Sequence, residues 1–356
     1  MNARLRHWRE GHAAAGGGHS GPAAALPLGP FDYELLLLRR TSRSGFMPGA
    51  HVFPGGLAEP ADFSAEWLGL LPASPYCGLG AVKPPPPGGS RAPLFTTDRE
   101  SLGSPLPGEV AFRICALRET FEEAGSCCCL PPAAELEEWR RRVREDPSCF
   151  LRLCRHLGCA PNIWALHEWS NWLTPVSRAG PGGRRYDTAF YLCCLEERPP
   201  HVSQDNQEVT AVLWSSPPEA IERLKSQEIW FPPPQFYEFC RLCNFSSLRE
   251  LQKFSSARAL EGCERWMPVT LSAPDGFIQL LPGDELYPED PDYTGEKKMN
   301  MSTDKKIEDL MKEGGIFHRI VIKNINNLAV YVNIQAKYNH INPLMIKCDN
   351  SDNSRL

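Results

Sequence analysis

Three carboxylates, Glu119, Glu122 and Glu123, follow directly on Arg118 at spacings of three and four residues. The stretch from Ala111 to Gly125 is rich in Ala, Leu, Arg and Glu. It holds no Pro and no Gly before its end, which predicts a helix. Wound at about 100° per residue, Val110, Ile114, Leu117, Phe121 and Ala124 fall on one apolar stripe and the three acids fall opposite. Like charges at this spacing cost about 0.2–0.5 kcal/mol per pair. The dipole disfavours anions near a helix C-terminus. A cation would offset both penalties, and hard oxygen donors suit Mg2+ or Mn2+. For three Glu taken alone, a solvated acidic face is the plain alternative. Gly125 is suited to a left-handed C-cap that stops the helix just past the acids.

Other elements must bring partners to this helix. His51-Val-Phe-Pro-Gly55-Gly56 reads as a short strand running into a glycine turn. Phe31 to Arg40 is a strand with Leu35 to Leu38 at its centre, and Arg39, Arg40 and Arg43 at its end are candidate phosphate contacts. An exposed strand end is the other reading of those three. Glu208 precedes a strand ending at Trp214, after which Ser216 caps a helix started by Pro217 or Pro218. Tyr186 to Leu195 is a further strand, and Trp164 to Thr174 is either a strand or a lining of the cleft.

The stretch Arg118-Glu-Thr-Phe-Glu-Glu-Ala-Gly125 resembles the R-E-x-x-E-E-x-G core of the nudix hydrolases. His51 to Gly56 resembles the glycine loop that forms the other half of that family's signature. The likeness reaches from about Phe31 to about Phe236. The full box is G-x5-E-x7-R-E-x2-E-E-x-G. Here Gly56 and Glu119 stand 63 residues apart instead of 15, so 48 residues are inserted. Glu109, nine residues before Arg118, is the candidate for the middle acid. Such an interrupted box is similar to that of the coenzyme A diphosphatases within the family. Gly49-x3-Phe53-Pro-Gly-Gly partly resembles their coenzyme A signature.

The resemblance implies an α/β nudix fold, a mixed β-sheet sandwiched between helices, with a large insertion inside the box and a C-terminal α+β extension. It implies hydrolysis of a diphosphate joined to a nucleoside. Glu119, Glu122 and Glu123 would hold Mg2+ or Mn2+. Glu122 or Glu208 would act on the attacking water, Arg118 would orient a Glu, and Gly55 and Gly56 would let the backbone close on metal and phosphate. The implied substrate is coenzyme A or an acyl-CoA, cut to 3′,5′-ADP and (acyl-)4′-phosphopantetheine. Two alternatives stay open: a nudix diphosphatase for another nucleotide (ADP-ribose, a dinucleotide or a capped RNA), and a catalytically silent nudix-like binding module.

The chain has 356 residues, 42% hydrophobic, with a net charge of −5, so it offers no basic footprint for nucleic acid. Its 14 Cys come without a secretory signal, which points to a reduced compartment. No apolar run is long enough for a membrane span. Residues 1–30 read as a disordered tail. Their Arg-bearing start leaves a mitochondrial presequence open, against which Glu10 counts. The nudix domain is placed at 31–264, with the insertion at 57–108 and a helical insertion at 130–160. Within the first, Trp67 to Leu71 reads as a short helix, and most of 72–106 as surface loop around Pro84 to Pro87. Residues 265–350 form the extension, with a hairpin around Asn324 to Asn327 and a charged helix over 294–315. No catalytic role falls to it; it covers the fold or helps bind substrate. The tail 351–356 ends in Ser354-Arg355-Leu356, which resembles the address read by the peroxisomal import receptor.

Overall fold

The structure is a computed structural model that describes residues 2–5 (as backbone), 29–72, 92, 106–126, 131–175, 185–195, 202–294, 301–312 and 315–348. In chain order the strands are β1 (Asn2–Leu5), β2 (Tyr33–Arg40), β3 (His51–Val52), β4 (His167–Leu173), β5 (Asp187–Leu195), β6 (Val209–Ser215), β7 (Arg265–Trp266), β8 (Val269–Ala273), β9 (Gly276–Leu280), β10 (Met301–Ser302), β11 (His318–Asn324) and β12 (Asn327–Val332). The helices are α1 (Gly108–Ala124), α2 (Ala133–Glu145), α3 (Ser148–His156), α4 (Pro217–Lys225), α5 (Pro233–Leu242), α6 (Leu248–Ala257) and the single turn α7 (Ile307–Leu310).

The run of leucines in β2 explains its place. Its side chains alternate between the two faces of the sheet, and both faces are covered. Tyr33, Leu35 and Leu37 join a core with Ile221, Phe236, Phe239 and Leu251 from α4, α5 and α6. Leu36 and Leu38 face the other way, onto Ala124 at the end of α1 and onto Val209. The result is the expected mixed sheet between helices. β6 pairs antiparallel with β2 from Leu35↔Ser215 to Arg40↔Val209. On the opposite edge, β3 pairs with Leu38 and Arg39.

Asn2–Leu5 corrects the expectation that all of 1–30 is a disordered tail. Its backbone lies antiparallel to β2 and parallel to β5, bridging the two halves of a seven-stranded sheet among the described residues. A strand of four residues that relies on non-local pairing is too short to stand out in sequence. Arg265–Trp266, assigned above to the extension, is β7 of this same sheet and runs parallel to β4. The remaining strands form a second sheet in the order β10-β8-β9-β11-β12. The expected hairpin is β11 and β12, with Asn324 opposite Asn327. Ile320, Leu328, Val330 and Val332 share one core with Phe236 and Tyr237, so the extension is packed into the nudix half.

The charged helix expected over 294–315 is not formed across its described residues. These give β10 and then α7, whose backbone is started by Asp275 Oδ1 accepting from Ile307 N at 2.9 Å. The 130–160 segment is helical as read, in two pieces, α2 and α3, divided at Asp146-Pro147. Trp67 to Leu71 forms a 3-10 turn, Ala65–Gly69, in place of an α-helix. Residues 73–91, 93–105 and 351–356 lie outside the described residues. No helix among the described residues is long and apolar enough to cross a membrane.

Candidate active site

Helix α1 forms where its composition places it. Val110, Ile114 and Phe121 are buried against Trp67, Val143 and Phe150. Gly125 takes φ 63° and ψ 21°, a left-handed cap, and its N–H returns to Phe121 O. The dipole penalty has an answer within the chain: Arg140 on α2, fully buried, donates Nη2 to Glu122 O at 2.9 Å and to Glu123 O at 3.1 Å. A guanidinium on the last carbonyls satisfies the helix end and offsets its negative pole.

The glycine turn and the acids meet in space, although the chain separates them by more than sixty residues. Gly55 N donates to Glu123 Oε2 at 2.9 Å. Gly55 has φ +147°, a conformation that other residues rarely adopt. A Cβ placed on Gly56 would stand 2.7 Å from Glu119 Oε1, so any larger residue there would displace that carboxylate from the turn.

Arg118 is 2% exposed and occupies the centre of the site. It donates Nε to Asp62 Oδ1 at 2.9 Å and Nη2 to Asp62 Oδ2 at 3.0 Å. Nη1 reaches Glu122 Oε1 at 2.6 Å and Glu119 Oε1 at 3.1 Å. Nη2 also donates to Leu57 O at 2.7 Å, which fixes the chain just past the glycine turn. Arg118 therefore touches two of the three Glu of the motif.

Asp62 is the residue that sequence reasoning missed. It sits on the 3-10 turn Pro60–Phe63, is 1% exposed, and receives the whole fork of Arg118. The signal was present: Asp62 follows Gly56 by six residues, the box's G-x5-acid spacing with Asp in place of Glu. Glu109 does not fill this role; it lies in the first turn of α1, where its backbone oxygen accepts from Arg113 at 2.7 Å. Counting back from Arg118 misplaced the acid, because the insertion falls after Asp62.

Burial dominates the acidity of the three Glu. It pushes the Glu119 carboxyl up to about 7, against the opposing pull of Arg118. Glu122 is raised for the same reason, with Arg118 again opposing. Glu123 is raised well above the usual carboxylate range by burial, although the Gly55 N–H favours its ionised form. The charges of Glu119 and Glu208 raise Glu123 further and that of Arg40 lowers it, so both Arg40 and Glu208 act on the acid cluster. Glu208 is exposed, on a turn in which Asp205 Oδ1 accepts from Val209 N at 2.8 Å; Thr41 N donates to Glu208 O at 2.8 Å. Arg40 holds its own loop, donating to Phe46 O and Ser44 Oγ. Arg39 and Arg43 are exposed beside that loop.

Among the described residues, no three acids, histidines or cysteines are arranged as a ready-made cation cage. The donor set nonetheless fits a hard divalent ion. Glu119, partly buried, and Glu123, buried, converge on the glycine turn, and the charge of Glu119 raises the cost of ionising Glu123. Glu122, expected as a third ligand, is turned onto Arg118.

This sheet, this helix and this glycine turn define a nudix hydrolase. Residues 8–242 match the sequence model of the NUDT19 Nudix domain, and residues 270–333 match that of the NUDT19 C-terminal domain. The chain belongs to the NUDT19 family of nudix hydrolases. It is 74% identical to the Acyl-coenzyme A diphosphatase NUDT19 of Gallus gallus, over 100% of both chains. Identity to the protein of the same name is 46% in Xenopus laevis, over 99% of this chain and 100% of that one. In Homo sapiens it is 50%, over 87% and 86%. A nudix hydrolase structure from Alicyclobacillus acidocaldarius superposes with a TM-score of 0.42 at 20% identity, covering 62% of this chain and 88% of that one.

Two outcomes follow from this geometry. Asp62→Ala removes the anchor of Arg118, and hydrolase activity should fall about 10–100-fold, the usual cost of losing a partner behind a metal-site ligand. Glu109→Ala should stay near wild type in the same assay; equal losses would restore Glu109 to the role. A carboxyl held near 7 in the fold and about 4.5 unfolded destabilises the fold as pH rises from 4.5 to 7, because the unfolded chain loses its proton first. In the absence of divalent ions, the Glu119→Gln variant should therefore gain thermal stability over wild type as pH rises from 5 to 7. Mg2+ should stabilise wild type most at the upper end of that range. Parallel melting curves for the two proteins across that range would contradict this.

Proposed function

We propose that this chain hydrolyses the diphosphate of coenzyme A and acyl-coenzyme A esters, giving 3′,5′-ADP and (acyl-)4′-phosphopantetheine, with Mg2+ or Mn2+. The observation that carries the proposal is the seating of the Gly55-Gly56 turn on Glu119 and Glu123, in a chain 74% identical over its whole length to a relative named for acyl-CoA diphosphate cleavage. Bound there, a divalent ion neutralises phosphate oxygens and supplies an acidified water.

The chain's own residues supply the rest. Glu119 and Glu123 would hold the cation, and because burial raises both carboxyls their ionised forms would gain from it. Arg118, fixed by Asp62, keeps Glu122 in a single orientation. Glu122 then stands at a set place to orient the attacking water, and the exposed Glu208 is the second candidate to take its proton. Arg40, Arg39 and Arg43 lie where the strand end opens to solvent and would meet the substrate's phosphates.

Product analysis tests the reaction. Purified protein with Mg2+ and coenzyme A should release 3′,5′-ADP, and Glu123→Gln should release at least about a hundredfold less, the scale of losing a metal-activated nucleophile. A panel with ADP-ribose, a dinucleotide and a capped RNA, each at equal concentration, assigns the substrate. Faster turnover of any of these than of acyl-CoA would replace the proposal.

We also propose that Ser354-Arg355-Leu356 directs the protein to peroxisomes. A basic residue between a small one and a terminal Leu keeps the chemistry of the Ser-Lys-Leu address. A fluorescent fusion at the N-terminus should be punctate and become diffuse when Leu356 is deleted. A mitochondrial pattern would favour the Arg-bearing N-terminus instead.

A further inference from the structure

The loop between β2 and β3 carries an aromatic ring into solvent. Phe46 is 38% exposed, and Tyr186, just ahead of β5, meets it edge-on with ring centroids 5.0 Å apart. The loop is held in the shape that presents this ring. Arg40 N donates to Ala50 O at 2.9 Å and so ties its two ends. Phe46 O accepts from Arg40 Nε at 3.0 Å and from Ser44 Oγ at 2.9 Å. Met47, the next residue, takes φ 49°, a left-handed conformation that non-glycine residues seldom adopt. Surrounding contacts, not local preference, therefore set the position of Phe46.

Two cations belong to the same hairpin. Arg39 and Arg43 are exposed, and neither forms an ion pair among the described residues. Arg39 and Arg40 leave β2 on opposite faces. Arg40 stands on the metal side, where its charge favours the ionised form of Glu123. Arg39 follows Leu35 and Leu37 on the other face, the one that also carries Phe53 and Phe190. It pairs across the strands with His51, which adds no charge, since burial and then Arg39 lower it to about 4. From Phe190, β5 leads back along that face through the exposed Thr188 toward Tyr186 and so to Phe46.

An exposed ring beside unpaired guanidinium groups suits a nucleobase whose sugar carries a phosphate monoester. A neutral pantetheine or acyl arm would gain nothing from the two charges. Coenzyme A has one such half, an adenosine with a 3′-phosphate. We infer that the adenine packs on Phe46, backed by Tyr186, and that Arg39 and Arg43 take the 3′-phosphate while Arg40 faces the diphosphate at the metal site. Phe46 then sets which nucleotide is accepted and takes no part in the bond cleavage. The inference rests on the coenzyme A reading above.

Calorimetric titration of the full chain without divalent ions, with 3′,5′-ADP and 5′-AMP as probes, tests it. Wild type should bind 3′,5′-ADP more tightly than 5′-AMP. Phe46→Ala should weaken both about tenfold, the scale of losing a base–aromatic stack, and Phe46→Trp should restore them. Arg39→Gln combined with Arg43→Gln should erase the preference for 3′,5′-ADP. In steady-state assays with Mg2+, kcat/KM should repeat the pattern, with coenzyme A and dephospho-coenzyme A in place of the two nucleotides. If wild type hydrolyses coenzyme A but shows no preference for 3′,5′-ADP, the subsite is overturned and the proposed function stands. The same holds if Phe46→Ala binds both nucleotides as wild type does, or if the double variant keeps the preference. If wild type neither hydrolyses coenzyme A nor binds 3′,5′-ADP, the coenzyme A reading itself falls, and the subsite with it.

Discussion

The structure depends on one buried guanidinium. Arg118 is held by both oxygens of Asp62, touches Glu122 and Glu119, and caps the carbonyl of Leu57. A charge with so little solvent persists only when it is paired and hydrogen-bonded throughout. Four pieces of chain must therefore be in place at once: α1, the glycine turn, the residues just after it and the 3-10 turn carrying Asp62. Removing any one leaves either the guanidinium or its partners buried and unsatisfied. Position and chemistry are coupled here, because the contacts that stabilise the ion also fix the acids.

Much of this was legible because it was local. The helix, its acids, its glycine cap and the glycine turn each follow from residues within a few positions of one another. The β11–β12 hairpin is of the same kind. What stayed hidden was set by partners distant in sequence. Asp62 looks like an ordinary loop acid until Arg118 is laid against it. Asn2–Leu5 is only four residues long, and its pairing with β2 and β5, both distant in sequence, makes it a strand. Arg140 reads as one more charge on an amphipathic helix, yet it is fully buried at the end of α1. The contact of Phe46 with Tyr186 joins two segments far apart in the chain, so no spacing rule could have assembled it.

The extension after residue 264 is part of the same body as the nudix half. Its hairpin contributes Ile320, Leu328 and Val330 to the core that holds β2, and α5 serves both sides. Tyr237 on that helix donates to or accepts from His318 at 3.0 Å, while its neighbour Glu238 gathers the indoles of β4. Glu238 and Arg241 thus sit on one helix with a face on each layer. A strain introduced in the extension would reach β4, and through β5 the sheet that carries the glycine turn, by packed contacts alone.

A long insertion in the middle of a catalytic signature would ordinarily be expected to weaken it, and the magnitudes show why it need not. The Asp62–Arg118 contact closes a loop of 56 residues here, where the uninterrupted pattern would close one of 8. Loop entropy grows only with the logarithm of length, so the extra chain costs about 1.7 kcal/mol. One hydrogen bond to a charged group contributes about 1.5–3 kcal/mol, and the fork makes two. The start of the insertion adds its own anchor, since Trp67 is 1% exposed and packs on Phe150 beside Phe121 of α1. The start of the insertion is therefore packed on the same core as α1, and the entropy of the added chain does not outweigh the contact that closes it.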